Sequence, residues 1–141
     1  MREKILGLMG LMRRASAIAP GEDGALDAVK AGKAKLLLFA SDISDNTKRK
    51  AENAAEGRNL SLVPLPFDRS ELGDALGLAS CSVAAVTDLG FADALMKLLA
   101  AQWPEQFSEA AQAVRQRREK AARRKTQKGS KRVGTRRRTN V

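Results

Sequence analysis

Ala34-Lys35-Leu36-Leu37-Leu38-Phe39-Ala40 is an apolar run broken only by one lysine near its start. A surface helix would space its apolar residues by three and four, and a half-covered strand would alternate them. A short continuous run fits a strand covered on both faces, as in a sheet held between helices. The flanking patterns agree. Residues 22–31 read as a helix with Ala25, Leu26 and Val29 inward, ending near Gly32. Ser44 or Asp45 offers an N-cap for a helix through Glu56 that Gly57 closes.

Farther out, Leu60-Ser61-Leu62-Val63 reads as a strand cut off by Pro64 and Pro66, which places it near a sheet edge. Residues 70–77 form a short helix, and Ser82-Val83-Ala84-Ala85-Val86-Thr87 a second buried strand. Phe91, Leu95, Leu98 and Leu99 mark the inward face of the last core helix. Toward the N-terminus, Ser16-Ala17-Ile18-Ala19 is at most a short strand, preceded by an amphipathic helix with Ile5, Leu8, Met9 and Met12 on one face. Strands alternating with helices define the α/β class, here a three-layer α/β/α sandwich.

The first residues mimic a secretory leader, with a basic start, an apolar stretch and Ala15-Ser16-Ala17. Glu3 inside the basic segment and Arg13-Arg14 before the cleavage-like site argue against it. No run approaches the roughly 18 apolar residues of a membrane span. The lone Cys81 allows no intrachain disulfide and fits a reducing cytoplasm. The chain has no His and no Tyr, so His-based catalysis and His metal sites are excluded. It carries neither phosphate-loop nor dinucleotide glycine motif. The expectation is therefore a protein that is not an enzyme and needs no cofactor or metal.

The formal net charge of +10 is unevenly spread. Residues 1–114 hold 13 Lys and Arg against 15 acids, whereas 115–141 hold 13 against the single Glu119. Pro104 suits a helix start, and Phe107, Ala111 and Val114 keep helical spacing through about Lys125. The segment 126–141 has little to bury and is expected to be disordered when free. Such arms bind nucleic acid by releasing counterions, with a log–log salt slope of about −0.9 per duplex phosphate. Arg117, Arg118, Arg123, Arg124 and Lys125 on the helix, and Arg136, Arg137 and Arg138 beyond it, are the candidates. Phe39, Phe67, Phe91, Trp103 and Phe107 sit mainly at core-like positions and do not make a base-stacking platform.

Against this background Glu22, Asp23 and Asp27 stand out at a helix start, where carboxylates also suit the dipole. The order Gly21…Ala28-Val29-Lys30-Ala31-Gly32-Lys33-Ala34-Lys35-Leu36, then Ala40-Ser41-Asp42, then Leu72-Gly73-Asp74-Ala75-Leu76-Gly77, resembles the L-seven-Ae/L-thirty-e ribosomal protein family. Asp42-Ile43-Ser44-Asp45-Asn46-Thr47-Lys48 looks like its bacterial branch. The resemblance covers about residues 1–101 and implies a four-stranded mixed sheet and binding to kink-turn RNA. It implies that the helix opening at Gly21 faces the sheared G·A pairs. The family's Asn, acid and Lys there fall on Asp23, Gly24 and Asp27. The loop Leu78-Ala79-Ser80-Cys81 is implied to pack on a flipped-out nucleotide.

The departures matter chemically. Ionised Asp23 only accepts hydrogen bonds, though it can take one from a guanine N–H. Asp27 puts a negative charge near phosphate. Lys30, Lys33, Lys35 and Lys48-Arg49-Lys50 are placed either to contact the RNA backbone or simply to solvate element ends. Asp42, after a buried strand, is expected to order the strand-to-helix turn through backbone N–H groups rather than to catalyse.

The chain thus divides into a ribosomal-protein-like RNA-binding domain (1–101), a basic helix (102–125) and a disordered basic tail (126–141). The expected function is binding of structured ribosomal or other RNA, by a cytoplasmic monomer that is ribosomal or ribosome-associated and has no membrane partner. A second reading makes it a ribosome-docking or protein–protein module that has kept the fold without kink-turn readout.

Overall fold

The structure, a computed structural model, describes the backbone of residues 2–139 and the side chains of residues 2–124. The apolar run becomes strand β2 (Leu36–Phe39), and its side chains alternate between two separate cores. Leu36 and Leu38 enter the larger core, while Leu37 and Phe39 enter the smaller one. β2 pairs antiparallel with β4 (Val83–Val86) and parallel with β3 (Ser61–Pro64), and β1 (Ile18–Pro20) pairs antiparallel with β4. The order β1-β4-β2-β3 makes a mixed four-stranded sheet with β3 at an edge, as its prolines require.

Helices α2 (Glu22–Lys30) and α3 (Asp45–Ala55) cover one face, with Ala25, Val29, Ala51 and Ala55 in the smaller core. α1 (Arg2–Arg14), α4 (Arg69–Leu76), α5 (Leu89–Gln102) and α6 (Pro104–Thr139) cover the other. The result is the expected three-layer sandwich. Ile5, Met9 and Met12 are fully buried, so the leader-like segment is a core helix. Ser44 caps α3 by accepting from the Thr47 N–H, and Asp68 caps α4 in a reciprocal capping box with Glu71. No helix among the described residues is long and apolar enough to cross a membrane.

Asp42 orders a turn through a backbone N–H, but not the turn beside it. Its Oδ1 accepts from the Arg69 N–H at 2.8 Å and its Oδ2 pairs with the Arg69 guanidinium at 3.3 Å. It therefore ties the end of β2 to the start of α4. Partial desolvation opposes the charge of Asp42, but the Arg69 N–H and guanidinium outweigh it and hold the carboxyl below its ordinary range.

α6 packs along α5 through the fully buried Phe107 and Val114, and Trp103 at the junction sits edge-on to Phe67 and Phe107. The helix continues to Thr139, past Lys125 into the stretch expected to be disordered. Lys, Arg and Gln are good helix formers and can propagate a helix whose first turns are already held by packing.

Candidate nucleic-acid interface

The start of α2 is fixed by the sheet. Gly21 follows β1, donates its N–H to the Val83 carbonyl at 2.8 Å, and takes φ 88° with ψ 161° as N-cap. That conformation is strained for any residue with a Cβ. No side chain among the described residues caps the helix, so the first-turn amides are open to solvent or to a ligand. Gly24, one turn in, has only ordinary contact space for a Cβ, against Ala19 at 4.0 Å.

The loop implied to meet RNA lies at this same end of the sheet. Gly73 makes it possible, because a Cβ there would sit 2.8 Å from both the Leu78 carbonyl oxygen and the Ser80 Cα. The loop is further held by the Leu78 N–H on the Gly73 carbonyl and the Cys81 N–H on the Arg69 carbonyl. Leu78 is half-buried, whereas Ala79 and Ser80 are exposed. Cys81 beneath them is buried, and desolvation raises its thiol pKa, which makes it a packing residue.

The charges here are mixed. Glu22 pairs with Lys50 at 3.2 Å, joining the start of α2 to α3. Asp23 and Asp27 are exposed, one turn apart on the helix, and enter no ion pair among the described residues. Lys48 is exposed on the first turns of α3.

The remaining predicted site residues lie elsewhere. Lys30 ends α2 and Lys33 follows it, so the nine residues of the helix separate them from Gly21 by about 14 Å. Arg117 donates to the Asn59 carbonyl at 2.8 Å and to Ser61 Oγ at 3.1 Å, docking α6 onto the start of β3. Arg118 pairs at 2.7 Å with Asp93, a carboxylate only 2% exposed on α5. Lys97 adds a second contact to Asp93 at 3.2 Å. Desolvation of Asp93 is outweighed by these two cations, which hold its carboxyl below the ordinary range. Asp93 is absent from the sequence reading, although its spacing from Lys97 (i, i+4) was a visible signal. Arg123 and Arg124 are exposed, and the side chains of Lys125, Arg136, Arg137 and Arg138 lie outside the described residues.

This arrangement defines a class: small α/β/α domains that present an uncapped helix start beside a glycine-supported loop at one end of a four-stranded sheet. The chain belongs to the ribosomal protein L7Ae/L30e/S12e/Gadd45 family, whose sequence profile matches residues 3–96. It is similar to the RNA-binding protein YlxQ of Bacillus subtilis, 37% identical over 94 residues, which is 65% of this chain and 91% of that one. YlxQ of Enterococcus faecium is 30% identical over 98 residues, 70% of this chain and 93% of that one. Among solved structures, a Bacillus halodurans protein of unknown function superposes with a TM-score of 0.62 at 32% identity, covering 67% of this chain and 95% of its own. The 15.5 kD RNA-binding protein of Giardia lamblia gives 0.54 at 27% identity, covering 67% and 84%.

Proposed function

We propose that this protein is a non-enzymatic RNA-binding protein of the cytoplasm. It would act as a monomer on ribosomal or other structured RNA, in association with the ribosome. The observation that carries the reading is the placement of the Gly21 helix start beside the Gly73-supported loop 78–80, within a chain of this family. First-turn amides, Gly21, Gly24 and Lys48 would meet the phosphate chain, and Asp23 would accept from a guanine N–H. Leu78, Ala79 and Ser80 would pack on an unstacked nucleotide. The α6 cations would supply salt-dependent affinity.

The test is a gel shift with a kink-turn RNA and a control whose G·A pairs are disrupted. The expected outcome is tighter binding to the intact kink-turn. Equal binding to both would remove the kink-turn from the proposal. The exposed Asp23 and Asp27, in no ion pair among the described residues, favour the second reading, a ribosome-docking or protein–protein module, and that outcome would select it.

A further inference from the structure

At the opposite end of the sheet, where β2 and β3 begin and β4 ends, a cavity of about 670 Å3 opens between the core and α6. Lys35 and Arg58 line it from the core, and Arg117, Lys120 and Arg124 from α6. No acidic residue lines it among the described residues, and Leu60 and Leu89 give it apolar surface. Elsewhere Lys50, Arg69, Lys97 and Arg115 each face a carboxylate. None of the five groove cations enters an ion pair among the described residues.

Two of the five are held in place without being neutralised. Arg117 is fixed by the Asn59 carbonyl and Ser61 Oγ, and Arg58 donates to the Ala54 carbonyl at 3.2 Å and the Lys30 carbonyl at 3.5 Å. The Arg58 bonds also answer the free carbonyls near the ends of α3 and α2, which would otherwise repel an anion. Five like charges around one concavity repel one another and focus a positive potential into it.

We propose that this groove is a second binding site, taking the sugar–phosphate chain of a single RNA strand. Its cationic rim suits phosphates and its apolar lining suits sugar and base surfaces, and its volume is that of a ligand cleft. The choice of RNA as the anion rests on the proposed function. The site itself is independent of the kink-turn, because three of its cations come from α6, beyond the matched residues 3–96.

Fluorescence anisotropy with labelled oligouridine, which has no G·A pair, tests it on the full chain at two salt concentrations. The charge reversal Lys35→Glu with Lys120→Glu takes one residue from each wall. It is expected to weaken binding at least about tenfold and, like Lys35→Ala with Lys120→Ala, to make the salt slope shallower by about 1.4. Arg13→Glu with Arg14→Glu makes the same change in net charge on exposed α1 positions that do not line the groove and is expected to stay within about twofold. Equal losses from the groove and α1 reversals, or no oligouridine binding by the unaltered chain, would overturn the groove. A failed kink-turn discrimination would leave this readout unaffected.

Discussion

Where α2 begins, Asp23 and Asp27 are exposed near the glycine-supported loop. Where it ends, Lys35, Arg58, Lys120 and Arg124 surround a groove that no acid lines among the described residues. The first region is built entirely within the family domain and has close backbone geometry with little positive charge. The second needs α6 and has charge with simpler geometry. The proposed shape-dependent readout and charge-dependent affinity would thereby lie about 14 Å apart, the length of α2, where each can be changed without the other.

The largest test of charge-dependent affinity is to end the chain at Arg124, which removes seven Lys and Arg residues but keeps every groove cation. The salt slope on duplex-containing RNA should become shallower by up to about 6. The affinity ratio between kink-turn and disrupted RNA should hold; collapse of that ratio in a salt titration would show that readout at the start of α2 depends on the charges beyond Arg124.

Gly73→Val attacks the other end. Its side chain would meet the backbone of Leu78 and Ser80, which cannot move as a flexible side chain would. A loss of about 3 kcal/mol in urea unfolding is expected, together with loss of kink-turn discrimination but retained oligouridine binding.

Arg118→Ala loosens α6 from α5 and should cost about 2 kcal/mol, with Lys97 still partnering Asp93. The acid dependence has a defined sign. Asp93 titrates in the fold below its ordinary value of 3.8, so its pairing stabilises fully above that pH and is lost as pH falls through the folded value. Arg118→Ala should flatten this acid limb in unfolding curves.

The smallest expected effect is a gain. Asp23→Asn with Asp27→Lys restores the resembled family's residue types at exposed positions. Kink-turn affinity should rise about tenfold, near 1.4 kcal/mol, with a smaller change on oligouridine. No gain in a side-by-side titration would show that these acids do not face the RNA.

The sandwich was legible because Leu36–Phe39 and Val83–Val86 are apolar on both faces, which a sheet between two helix layers requires. The edge position of β3 followed from its prolines. The placement of Gly21 near loop 78–80 came from resemblance, and its physical reason, the missing Cβ of Gly73, needed coordinates. The groove was not legible: Lys35, Arg58 and Lys120 are 23 and 62 residues apart in sequence and meet only through tertiary packing. Charge counting also treated Arg117 and Arg118 as equivalent to the rest of the basic segment, whereas one holds backbone and the other a buried carboxylate.

The attachment of Arg117 at Asn59 and Ser61 has a bearing on solubility. β3 is an edge strand with Leu62 exposed, the type of surface on which another chain can add a strand. A guanidinium fixed at the start of that strand, with a strongly basic helix running past it, makes approach by a second copy electrostatically unfavourable. The helix proposed to gather polyanions would thereby also disfavour pairing of this edge with a second copy.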